Sequence, residues 1–250
     1  MEKAYSGYDR TGTTYSRTRR PDPRIATFIT DALSDTESVA NIGAGAGSYE
    51  PAQTVVAIEP SSVMISQRPR EAAEAVRGVA EQLPLGSASV DAALAVLTVH
   101  HWHDVDRGLA EMVRIARRRI AILTWDPEIF QRFWLLRDYL PAAADTDARL
   151  AVPMSRLTAL PGKVSITPIP VPHDCVDGFG GAFWRRPHLY LDPTVQAGMS
   201  MLALTPPRHL DAGLSLLTDD LTSGRWASRY ASLATETEFD VGYRLVVADY

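Results

Sequence analysis

The sequence predicts an α/β protein built on a doubly wound, mostly parallel, seven-stranded sheet of Rossmann-like type, with helical insertions forming a cap. Three observations carry this. Short apolar runs alternate with helical patterns through residues 38–125, the rhythm of a parallel sheet with right-handed crossovers. A glycine loop closes the first of those runs and an acid closes the second. Two long stretches, residues 127–153 and 172–238, lose the rhythm and are too long for plain connections.

Taken in order, the first helix begins after Arg20, with Asp22 as cap, Pro23 at its first position and Ile25, Phe28, Ile29, Ala32 and Leu33 on one face. Strands follow at 38–42 and 54–58, with room for only a brief turn between them. Residues 63–75 read as a helix interrupted near Pro69, 76–80 as a short strand, and 90–98 as an apolar strand buried on both faces. Asp104 caps the clearest helix, in which Val105, Leu109, Met112, Val113 and Ala116 recur at helical spacing. Arg114, Arg117 and Arg118 are expected to complement the dipole at its C-terminus, which accounts for them without nucleic acid. Strands at 120–125, 164–171 and 241–248 complete the sheet. The expected organisation is one domain over 1–250, with its core at 21–126, 154–171 and 239–250 and the cap at 127–153 and 172–238.

Composition narrows the function. The 250 residues are 46% hydrophobic with a formal net charge of −5, which gives no electrostatic footprint for nucleic acid or acidic lipid. The longest apolar run, residues 92–99, is far short of a bilayer span, and residues 1–20 lack a signal-peptide core. A single cysteine, Cys175, leaves no internal disulfide and suits a reducing cytoplasm. The expectation is a cytoplasmic protein acting on a small molecule, with neither nucleic acid nor membrane as partner. Its oligomeric state is not legible.

Ligands of open α/β sheets bind beyond the carboxyl ends of the strands. Here those ends carry Gly43, Gly45 and Gly47, then Glu59, then Ala80 and Glu81, then Thr98 to Trp102, then Trp125 and Asp126. The glycines let backbone approach a ligand, and Glu59 offers a carboxylate to both ribose hydroxyls of an adenosine. A nicotinamide dinucleotide needs a third glycine and a long helix to receive its pyrophosphate. Ser48 occupies that glycine position and Pro51 shortens the crossover, so a cofactor without phosphate is favoured.

At these positions the sequence resembles the class I S-adenosylmethionine-dependent methyltransferases, in particular their small-molecule type 11 group. The runs VANIGAGAG (39–47), AIEPSSVMI (57–65), AEQLPL (80–85) and the stretch from Val90-Asp91 to Trp102 match its motifs in order. The resemblance implies S-adenosyl-L-methionine as cofactor and methyl transfer as the reaction. It implies that Gly43, Ala44 and Gly45 line the methionine and ribose region, that Glu59 holds the ribose, and that Pro60 and Met64 pack on adenine. Ala80, Glu81 and Gln82 would surround the adenine amino edge, and Leu97 and Thr98 would flank the sulfonium. Tyr8, Tyr15 and Arg20 would close over the cofactor and contact its carboxylate. In one departure, Asn41 stands where the family pattern carries an acid.

Methyl transfer is an in-line displacement that positioning largely drives, and an oxygen or nitrogen acceptor can also need a base. His101 is the candidate, with His173 as second choice; the plainer reading of His100 and His101 is packing beside Trp102. His100, His101 and His103 lack the helical pair or thiolate of a metal site, so no metal is expected. Residues 177–187 read either as a mobile lid or as a loop entering a core helix. Two rival functions stay open: a protein that binds the donor without transferring methyl, and a dinucleotide oxidoreductase.

Overall fold

The computed structural model describes residues 19–250, so Tyr8 and Tyr15 lie outside the described residues. Helix α1 (Pro23–Ala32) starts where expected: the Asp22 side chain accepts the Arg24 N–H, and Ile25 and Ile29 are buried. The following elements are β1 (Val39–Ile42), β2 (Thr54–Glu59), α2 (Ser62–Ser66), β3 (Ala75–Arg77), β4 (Val90–Val96), α3 (Val105–Ile115) and β5 (Ala116–Trp125). The cap contributes α4 (Pro127–Phe130), a single π turn (Leu135–Tyr139), and α5 (Pro141–Leu150); α6 (Met154–Thr158) then leads to β6 (Lys163–Pro168) and β7 (Val171–Pro172). Short helices α7 (Pro193–Ala197) and α8 (Ser200–Ala203), the long α9 (Pro207–Thr222) and α10 (Arg225–Arg229) precede β8 (Glu238–Phe239) and β9 (Tyr243–Asp249).

The sheet has seven strands in the order β3-β2-β1-β4-β5-β9-β6. All pairings out to β5 are parallel, and β9 runs antiparallel to both β5 and β6. The chain turns outward on both sides of β1, which places the switch point between β1 and β4, under the glycine loop.

Boundaries differ from the sequence reading where proline or a tertiary contact intervenes. Helix α2 stops at Ser66, before Pro69, whose ring disfavours helical backbone in the residue ahead of it. The strand expected over 164–171 splits: Pro168 and Pro170 lack the N–H that a ladder needs, and Val171–Pro172 pair instead with β8 in a separate two-stranded sheet. Helix α3 ends at Ile115, so Arg117 and Arg118 lie in β5 and do not serve a helix dipole. They are tied to carboxylates: Arg117 to Asp91 at 2.7 Å, Arg118 to Asp35 at 3.0 Å, and the next residue, Arg119, to both Asp35 and Asp249.

Alternation along the strands divides the core. On one face of β5, Ile120 and Ile122 join Ala93, Ala95, Met112 and Ile115 beneath α3. On the other, Ala121, Leu123 and Trp125 join Ile25 and Ile29 of α1 and continue without a break into Trp134, Trp184 and Tyr190 of the insertions. The cap therefore shares a core with the sheet.

Candidate active site

Backbone geometry at the end of β1 builds the floor. Gly43, Gly45 and Gly47 have φ of +67°, +52° and +92°, conformations that side chains rarely adopt. Gly43 and Ala44 both donate their N–H to the Ile58 carbonyl, which folds the loop back over β2. A Cβ at Gly43 would lie 2.1 Å from Thr98 Oγ1, so only glycine lets the loop and the end of β4 approach this closely.

Glu59, at the end of β2, is buried and doubly anchored: Oε2 accepts the Gly45 N–H and Oε1 the Ser61 N–H, each at 2.9 Å. A carboxylate oxygen can accept more than one hydrogen bond, so anchoring fixes the group without exhausting it. At the end of β4 the backbone of Leu97 has φ +48°, a strained value for leucine held by its N–H bond to the Leu123 carbonyl.

These strand ends enclose a crevice of about 1030 Å³, counted out to its open mouth. Of the residues expected at the cofactor, Gly43, Ala44, Gly45, Glu59, Pro60, Met64, Ala80, Glu81, Leu97 and Thr98 line it. Gln82 does not, being turned into a tight bridge with Val79. Arg20 is exposed and lines neither this crevice nor its neighbour; Arg19 lines both. Arg19 is held by Asp177, Nε to Oδ1 at 2.7 Å, and Asp177 Oδ2 accepts the hydroxyl of Tyr49 at 2.9 Å. Glu81 has a second task, accepting the N–H groups of His103 and Asp104 and so fixing the loop ahead of α3.

The Asn41 departure is balanced nearby. Asn41 Nδ2 donates to Glu50 Oε2 at 3.0 Å, and Glu50 pairs with the buried Arg68 at 2.8 Å. The amide is thereby oriented with Oδ1 buried and without a partner, on the crevice wall. Sequence reasoning missed this trio because Glu50 and Arg68 belong to no motif.

A second cavity, of about 520 Å³ counted out to its open mouth, lies between the sheet and the cap. It shares Arg19, Leu97 and His101 with the first, so His101 stands at the boundary. Burial, with Arg19 nearby, pushes the His101 imidazole down to about 4, leaving it neutral at physiological pH. His100 stacks against it at 3.7 Å and meets Trp125 edge-on at 4.7 Å. Trp102 covers Gly108 of α3, where a Cβ would lie 2.4 Å from its ring, and lines the first crevice together with His101. His173 is remote from both cavities; its ring contacts the Thr237 carbonyl on the surface. The 177–187 segment is a packed wall: Asp177 and Trp184 are fully buried, and Trp184 Nε1 donates to the Val171 carbonyl at 2.8 Å.

The chemistry of the crevice fits S-adenosylmethionine. An unpartnered buried carbonyl oxygen at Asn41 suits an ammonium, an anchored carboxylate suits a ribose, and the Cβ-free floor leaves room for the chain between them. Fold and site together define a class I methyltransferase. The model of a methyltransferase domain family matches residues 40–122. A solved protein from Anabaena variabilis, described as a methyltransferase from an antibiotic biosynthesis pathway, is 37% identical with a TM-score of 0.83, over 92% of this chain and 98% of that one. The chain belongs to the S-adenosylmethionine-dependent methyltransferases, enzymes that take their methyl group from that cofactor. Two more distant structures share the fold: a methyltransferase from Thermotoga maritima (21% identity, TM-score 0.53, 65% and 83% of the two chains) and the YcgJ protein of Bacillus subtilis (15%, 0.53, 90% and 97%). A search of curated proteins returned no match. Among the described residues no helix is long and apolar enough to cross a membrane.

Proposed function

We propose that the enzyme methylates a small organic molecule held in the second cavity, with His101 at the reacting boundary. The observation that carries this reading is the contact of two cavities through Leu97 and His101, one fitted to the donor and the other bordered by residues of the cap. Its modest size suits a small acceptor, and the antibiotic pathway named for the Anabaena protein makes a secondary metabolite a natural choice.

When bound, the cofactor supplies an electrophilic methyl group on a sulfonium. The protein's own residues do the rest. Glu59 holds the ribose through a carboxylate fixed before the ligand arrives, and Asn41 Oδ1 accepts from the ammonium. Pro60 and Met64, on the crevice wall, would pack on the adenine, with Ala80 and Glu81 at its edge. Arg19, in place of Arg20, offers its guanidinium to the carboxylate while Asp177 holds it in position. His101, at the boundary of the two cavities, would accept the proton that a hydroxyl or amine acceptor gives up as its lone pair bonds the methyl carbon and the carbon–sulfur bond breaks, its electron pair staying on sulfur.

Replacing His101 by Ala tests this assignment. With donor and acceptor saturating, kcat is expected to fall roughly 10²-fold while calorimetric affinity for S-adenosylhomocysteine stays within about twofold. An unchanged kcat removes His101 from the chemistry.

A further inference from the structure

One buried carboxyl in the second cavity has no place in the scheme above. Asp147, on α5, is 4% exposed and lines this cavity but not the first. Its Oδ2 accepts the indole N–H of Trp125 at 3.0 Å. Among the described residues no arginine, lysine or histidine pairs with it. Burying a carboxylate without a counter-charge is costly. The fold does not require the charge, because an asparagine oxygen would accept the same indole hydrogen.

Around it the wall is largely aromatic and thioether, with Phe130, Phe179, Tyr243, Met199 and Met201 beside Ser200 and the His100–His101 pair. Aromatic faces of this kind attract cations. The guanidinium bordering the cavity, Arg19, is already matched by Asp177. The cavity thus offers a desolvated carboxyl, able to ionise against a cation, beside aromatic side chains.

We propose that Asp147 is a specificity-determining residue that anchors a cationic amine on an apolar methyl acceptor. This rests on the reading of the second cavity as the acceptor site. The amine supplies the counter-charge that the protein withholds, so an acceptor lacking it leaves the carboxyl unpaired and binds more weakly. Asp147 takes no part in bond making; it fixes orientation, which directs another atom of the acceptor toward His101.

The test uses the full chain saturated with S-adenosylhomocysteine and three probes of one shape: 2-phenylethylamine, 2-phenylethanol and phenylacetate. Calorimetry is expected to show the amine binding at least about tenfold tighter than the alcohol, with phenylacetate weakest. In Asp147→Asn that preference is expected to shrink to within about twofold, while S-adenosylhomocysteine affinity is unchanged. Equal binding of amine and alcohol, a preference that survives in Asp147→Asn, or binding of none of the probes overturns the proposal. Preference for phenylacetate also overturns it and points to Arg19 as the reader. Failure of S-adenosylhomocysteine itself to bind the folded protein strikes instead at the underlying function.

Discussion

Two side chains at the cavities respond to burial in opposite directions, and their consequences for stability differ accordingly. Burial lifts the Asp147 carboxyl from 3.8 to about 7, only partly offset by the Trp125 indole. Between about pH 4 and 7 the native state therefore holds a proton that the unfolded chain has lost, and stability falls as pH rises through that window. His101, lowered to about 4, behaves in reverse: the unfolded chain binds the proton first, so its contribution is lost as pH falls from about 6.5 toward 4. Comparing Asp147→Asn with the parent isolates the carboxyl, because the histidine term is common to both. The variant is expected to melt at higher temperature at pH 8, by the equivalent of a few kcal/mol at about 1.36 kcal/mol per unit, and to lose that advantage near pH 4. An advantage independent of pH would contradict the assignment. A residue that costs stability while facing a cavity is what a binding role predicts. Gly43 gives a complementary expectation at the donor side. Gly43→Ala forces a Cβ onto Thr98 and strains a left-handed backbone, so S-adenosylhomocysteine affinity should drop by at least about tenfold, equivalent to roughly 1.4 kcal/mol.

Among the elements, the arginines at the start of β5 and the crossing of α9 over the cap show how local sequence acquires meaning through packing. Arg114 stays in α3, where it pairs with Glu111 and donates to the carbonyls of Leu83 and Leu85. Arg117 reaches Asp91, whose carboxylate also accepts the N–H groups of Glu37 and Ser38 at the foot of β1 and is held down to about 2. These are exposed or half-exposed pairs, each worth at most about 1 kcal/mol, and they serve to fix strand ends in register. The cap depends on closer fits. Gly213 of α9 sits where a Cβ would lie 1.8 Å from the Tyr139 carbonyl oxygen, at the π turn. Gly213→Ala must therefore push α9 off the π turn and is expected to destabilise by about 1–3 kcal/mol, read as a lowered midpoint in chemical denaturation. A neutral or stabilising result would show that the two segments are not in this contact. Tyr139 and Asp220, joined at 2.8 Å, bind the same two segments from the side.

In the whole molecule, the first crevice and the second cavity differ in how much of each could be read beforehand. The donor side is assembled from residues 41–102, in motifs whose spacing follows the strand-loop-helix repeat, with Arg19 added from the preceding segment. Gly43, Glu59, Met64 and Thr98 were legible because each ends a strand or opens a helix, and strand ends of such sheets converge on one crevice. Arg19 was missed in favour of its neighbour because a segment without periodicity does not reveal which of two adjacent arginines turns inward. Asp147 left one faint signal: it shares a spacing of three and four with Ala143 and Leu150, an acid on the apolar stripe of a short helix. What the amino-acid order determined alone is the parallel sheet, the glycine floor and the anchored acid, since these follow from periods of two and 3.6 and from the conformational freedom of glycine. What only tertiary structure decided is the second cavity, where Trp125, Asp147, Met199 and Tyr243 meet from separate segments. No local period encodes such a meeting; it arises when the insertions pack their aromatic side chains into the same core that the sheet has already begun.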